Sequence, residues 1–297
     1  LGAGAAEGAR AAARPARSLA ALRRPEVDEQ AFASEVTPGI RQLMRQLGPL
    51  LRPSGQELAQ RLARHGVTRA ERRTRGTAPR PLFDAVAAEL GVGDFELYVK
   101  DLPAAAGPIP LRAEPGNPPA LVIGAALGEL GPAAMRFAAA RALRLTATHL
   151  DALLAVPPEE AGALLVAIVR QFVPDFQHPE VREALVAAEA ARAERAIPRK
   201  LKPQLMPFAV ESAGPFDLAA LLAAVRDGAN AVGLLAAADL PAALSVILEL
   251  GGTIVTPPPA GGPGLTRAAV GASAEAMNLL RFAVSDAHDD LARALES

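Results

Sequence analysis

From Pro132 to the end of the chain one helical pattern follows another, with proline and glycine marking the joins at positions such as Pro157, Pro174, Pro198, Pro203 and Gly251. The spacing predicts helices over 132–148, 157–172, 178–196, 215–227, 229–237, 240–250, 273–283 and 286–295. A core must then be assembled from helix faces, and the side chains that fill it are small: only 3% of residues are aromatic, against 51% apolar. Ala, Leu and Val do the packing.

The stretch before Pro132 reads differently. Leu82 to Leu90 is a helix stopped by Gly91, and Phe95 to Lys100 alternates as a half-buried strand does. Two more short extended runs, Ile109 to Ala113 and Ala120 to Gly124, flank the turn-forming segment from Glu114 to Pro119. Further upstream, helices are expected at about 5–24, 38–51 and 54–65, with Pro38 in a first turn and Ser54 as an N-cap. The fold class that follows is α+β, predominantly helical, with one sheet of three to four strands.

Charge divides the chain unevenly. Residues 1–80 hold 15 Arg against 7 acids, although the whole chain has a net charge of only −1. We therefore expect a basic helical arm over 1–80, the end of an upstream helical region, ahead of an α+β domain over 81–297. The start, Leu-Gly-Ala-Gly, has neither an initiator Met nor a signal-peptide layout, so a piece of a longer chain is expected. No apolar run reaches the roughly 18 uncharged residues of a membrane span, and a cytoplasmic location is expected.

With no cysteine in the chain, disulfides, Cys-ligated zinc, iron–sulfur clusters and thiol nucleophiles are excluded. Gly261-Gly-Pro-Gly264 lacks a following Lys-Ser or Lys-Thr, and Gly2-Ala-Gly4 lacks a preceding strand, so neither is a phosphate loop. The four histidines, His65, His149, His178 and His288, are all more than a helical turn apart. Ser285 followed by Asp286, Asp289 and Asp290 around His288 has the form of a helix cap. The segment Arg61 to Arg80 carries seven Arg and one Glu without interleaved aromatics, which makes nucleic acid the weaker of its readings.

Two segments carry a resemblance. Ala120-Leu-Val-Ile-Gly124 followed by Met135-Arg-Phe-Ala-Ala-Ala-Arg-Ala-Leu-Arg-Leu145 is similar to the strand and metal-binding helix of gluzincin metallopeptidases of the CaaX-prenyl-protease and HtpX-like type. The run from Arg226 through Asp239 to Leu244 resembles the second metal helix of that family, and the likeness spans about 82–250. It implies a zincin-like helical core under the sheet. Carried over position by position, it puts Arg141 and Leu145 where the family has its histidine ligands and Ala142 where it has the general-base Glu. Arg226 falls at the third ligand and Asn230 at the Asp one turn later.

Arginine is a permanent cation with no lone pair to offer a metal. Without a metal-bound water and a carboxylate base the family's hydrolysis has no agents. The resemblance therefore implies a pseudo-peptidase, not an enzyme, with no cofactor and no metal, acting as a scaffold or interaction module for a protein or peptide partner. Arg141, Arg144 and Arg226 are candidates to hold an anion such as a C-terminal carboxylate, unless Arg141 pairs with an acid such as Asp227 or Glu189. Two alternatives stand beside this reading: an active zinc peptidase using His149 with Asp151 or the cluster at His288, and a nucleic-acid adaptor using Arg61 to Arg80.

Overall fold

In a computed structural model, residues 17–101, 111–250 and 266–296 are described. The glycine-rich segments at 2–4 and 261–264, most of the expected 5–24 helix and the first two residues of the 109–113 strand lie outside them. The chain begins with a 3-10 turn at Ala20–Arg23, then helices Pro25–Gln30 (α1), Pro38–Leu47 (α2) and Gly55–Arg64 (α3). A second 3-10 turn at Arg69–Glu71 leads into strand Arg72–Arg73 (β1), helix Arg80–Leu90 (α4) and strands Glu96–Lys100 (β2), Leu111–Glu114 (β3) and Ala120–Gly124 (β4). After a 3-10 stretch at Ala125–Leu130 come Pro132–Thr148 (α5), Asp151–Leu154 (α6), Pro158–Arg170 (α7) and Glu183–Ala196 (α8). Lys202–Ser212 (α9), Leu218–Ala237 (α10), Leu240–Leu250 (α11), Arg267–Ala272 (α12), Ala274–Ala283 (α13) and Asp286–Glu296 (α14) complete it. The protein is thus mostly helical α+β with a small mixed sheet.

The helix starts follow local chemistry. Thr37 accepts from the Ile40 N–H at the head of α2, and Ser54 and Glu57 form a reciprocal capping box on α3. Gly91, at φ 73°, ends α4 in the left-handed conformation that glycine adopts without strain.

The sheet runs in the order β1-β2-β4-β3, with β2 and β4 parallel and the outer pairs antiparallel. Both faces are covered. Leu97, Val99, Leu121 and Ile123 join the main core, while Tyr98, Ala120 and Val122 pack under Leu58 and Leu62 of α3. The half-buried strand expected at Phe95 to Lys100 is therefore buried on both sides, because α3 lies over the face that alternation would leave wet.

Residues 17–80 do not stand apart from the rest. Leu19, Leu22, Val27, Ile40, Leu43, Met44 and Leu47 belong to the same continuous core as Phe137, Leu143 and Leu235. β1 adds a strand to the sheet, and Arg17 pairs with Glu296 near the other end of the chain. The apolar face of α2 needs a partner to bury it, and α9 and α5 provide one. Much of the basic excess, including Arg23, Arg64, Arg69, Arg72 and Arg75, sits exposed on elements that the core holds in place, while Arg80 is buried.

Two expected helices, 215–227 and 229–237, are one. Gly228 does not break α10; its bare backbone lies against the Ala31 carbonyl, which a Cβ there would meet at 2.9 Å. α9 lies where the sequence marks Pro203 as a join between helices; Pro203 sits in its first turn, where a missing N–H is harmless, and Pro207 lies inside the helix. α10 is long and apolar enough to cross a bilayer on length and composition, but it lies inside the fold with 14 of its 20 residues buried.

α5 and α10 form the central pair, and small residues let them approach. A Cβ on Gly233 would sit 2.8 Å from the Phe137 ring and 3.1 Å from the Phe137 carbonyl. Gly233→Ala is expected to destabilise the protein by about 1–3 kcal/mol through overpacking, read from urea unfolding. An unchanged urea midpoint would mean that the two helices can separate freely.

Candidate functional site

The two segments that carry the resemblance meet. Arg141, on the buried face of α5, donates from Nε to Asn230 Oδ1 of α10 at 2.7 Å. Its terminal nitrogen Nη2 reaches Glu275 Oε1 of α13 at 3.2 Å, and Asn230 Nδ2 donates to the same oxygen at 2.8 Å. Arg141 is 8% exposed and Asn230 1%, so this three-residue network is largely closed to water. The guanidinium meets a carboxylate and an amide oxygen, each suited to its planar fork.

Ala142 and Leu145 lie in the apolar core beside it. Arg226 is half-buried and makes no salt bridge among the described residues. Its neighbour Asp227 accepts from Asn278 Nδ2 at 2.9 Å; burial raises the carboxyl above the usual range, Asn278 pulls it back, and Glu275 adds to the rise. Arg141 thus pairs with Glu275 and not with Asp227 or Glu189, the latter being taken by Arg192 on its own helix.

The three arginines proposed as an anion cradle point to different places. Arg144 leaves α5 toward α1, where Nη1 bonds Asp28 and the guanidinium lies 4.6 Å over the Phe32 ring. Asp28 also accepts from Arg45 of α2 at 2.6 Å. Arg144 is buried: burial works against its charge, and Asp28 works for it. Neither Asp28 nor Glu275 is marked by any local pattern, and a reader of the sequence has no signal for either.

The other candidates are placed as follows. His149 ends α5 in a left-handed conformation, with Arg52 against its Nδ1 at 3.2 Å. Burial, then Arg52 and Arg45, hold its imidazole down at about 4, so it is neutral. Asp151 is buried with Oδ2 unpartnered, and burial pushes it up to about 7. His288 follows the cap residue Ser285 and stands edge-on to Phe282. Among the described residues no three His, Asp or Glu side chains converge to hold a metal ion. In the Arg61 to Arg80 segment, Arg72, Arg75 and Arg80 are bonded to Glu96, Asp94 and Asp84, and Arg80 also stacks 3.9 Å from the Phe95 ring.

No protein-family model, curated protein or solved structure matches the chain.

Proposed function

We propose that this chain is a catalytically inactive, metallopeptidase-like module that serves as a scaffold or protein-interaction unit in the cytoplasm. The observation that supports it is the hydrogen bond between Arg141 and Asn230. The resemblance puts Arg141 at a ligand position and Asn230 one turn after the third ligand position, Arg226, and Arg141 and Asn230, 89 positions apart, lie in contact across α5 and α10. In place of donors for a dication, the centre has a guanidinium closed off by Glu275. Ala142 offers a methyl group where hydrolysis needs a base, so neither water activation nor proton transfer has an agent.

Reversion of the pattern tests this. The native chain is expected to emerge from dialysis against zinc without metal and to leave unstructured peptides uncut. A variant carrying Arg141→His, Ala142→Glu, Leu145→His, Arg226→Glu, Asn230→Asp and Glu275→Ala is expected to retain about one zinc per chain. A folded variant that retains none would remove the zincin-like core from the proposal. Zinc and peptide cleavage in the native chain would remove its inactivity.

A further inference from the structure

A second feature lies away from the Arg141 centre. Where the 3-10 turn before α1, α1 and α2 meet the C-terminal ends of α4 and α5, there is a pocket of about 590 Å³. That volume suits a small organic molecule. Arg23, Arg45 and Arg144 line it, with Asp28 the only acid among the described residues that do; Leu22, Leu90 and Ala147 give it apolar wall. A smaller pocket of about 420 Å³ shares Gly91 and Ala147 with it and brings Arg52 and neutral His149 to the far side.

The charges do not balance. Asp28, 6% exposed, is bonded by both Arg144 and Arg45 and can neutralise only one of them. Arg41 stands over the same Phe32 ring as Arg144, adding a third guanidinium to the neighbourhood. Arg23 lies across Gly91 and donates to the Ala88 and Glu89 carbonyls that end α4, leaving its charge at the rim. Arg144 is itself buried, and its Nε–H has no acceptor. In a partly desolvated cleft, like charges this close repel strongly, and an orphaned donor loses its hydrogen bond to water. A second anion would correct the imbalance.

We infer that this cleft binds a small organic oxyanion, its carboxylate or phosphate head against Arg45 and Arg144 with Arg23 at the rim, and its apolar body against Leu22, Leu90 and Ala147. Guanidinium groups suit both kinds of head through paired N–H donors. The apolar wall selects a ligand with a short hydrocarbon body over a bare ion.

Calorimetric titration of the whole chain with butyl phosphate, pentanoate and butanol tests it. One of the two oxyanions is expected to saturate at least about tenfold more tightly than butanol, and whichever binds better identifies the head group. Arg45→Met, which keeps the aliphatic stem, and Ala147→Leu, which fills the wall without touching charge, are each expected to weaken that binding by about tenfold or more. Arg45→Lys is expected to recover part of it. Circular dichroism and urea midpoints verify that each variant is folded, and Ala147→Val replaces Ala147→Leu if the larger side chain is not accommodated. The inference is overturned if neither oxyanion saturates by about 10 mM. It is also overturned if the affinity survives either substitution, since loss in Arg45→Met alone means a surface ion pair and loss in the wall variant alone means no role for the charge.

Discussion

Replacing Asp28 by alanine is expected to destabilise the protein by about 3–5 kcal/mol, among the largest effects available from a single charged residue. The carboxylate is 6% exposed and joins α1 to α2 through Arg45 and to α5 through Arg144. Without it Arg144 remains 4% exposed, its Nε–H still unpartnered, with the residue 28 backbone carbonyl, 3.4 Å from Nη2, and the Phe32 ring face left to meet its charge. A desolvated cation–π contact restores on the order of 2 kcal/mol, less than the desolvation of an unpaired guanidinium. Arg144→Met is expected to be milder, at about 1–3 kcal/mol, because Asp28 keeps Arg45. The double variant Asp28→Leu with Arg144→Met is expected to come back to within about 1 kcal/mol of the native protein, since neither charge is then buried alone. Urea unfolding of the three measures this. If Asp28→Ala stays within about 0.5 kcal/mol of native, Arg144 can swing to solvent and the pair holds nothing together.

That pair also marks where the sequence stops being legible. Arg144 and Asp28 are 116 positions apart, and Arg141 and Glu275 are 134 apart. Helix periodicity reports which face of α5 is apolar; it has no information on which remote acid meets a buried arginine. What could be read is what nearby residues decide: the span 132–148 of α5, the cap at Ser54, the stop at Gly91 and the strand 120–124 all agree with the structure. Residues that the sequence marks as breaks lie within helices at Pro203, in the first turn of α9, and at Gly228, inside α10. β1 escaped notice because its two residues are extended only by pairing with Tyr98 and Leu97.

Asp151→Asn is expected to change the pH profile of stability more than any other neutral substitution in the fold. In the native protein the Asp151 carboxyl is raised to about 7 by burial, against the pull of Arg52 and the Ala152 N–H and with a further push from Glu114. In the unfolded chain it titrates near 3.9. Between those values the folded state holds a proton that the unfolded state has released, so this group's contribution is complete below about pH 4 and is lost as pH rises to about 7. His149 acts in the opposite sense. Its imidazole is held down at about 4, so between that value and the unfolded 6.5 the unfolded chain binds the extra proton and stability rises with pH.

The same opposition recurs alongside. Glu114 is raised by burial against Arg61, Arg112 and Arg64, and it faces His65, 3.3 Å away, which burial, then Arg112, Arg64 and Lys100, lowers. Asp151 and Glu114, which weaken the fold as pH rises, are opposed by His149 and His65, which strengthen it, so these four groups act against one another from about pH 4 to 6.5. Removing Asp151 removes one side of the balance. The stability of Asp151→Asn relative to native is expected to rise by about 3–4 kcal/mol between pH 4 and pH 8. His149→Gln is expected to shift the other way by about 2 kcal/mol, reduced because the ring is partly open to solvent. Urea titrations at about half-unit pH steps would show the native and Asp151→Asn curves crossing. Parallel curves would mean that the Asp151 carboxyl titrates alike in both states, and that water reaches Oδ2 in the folded protein.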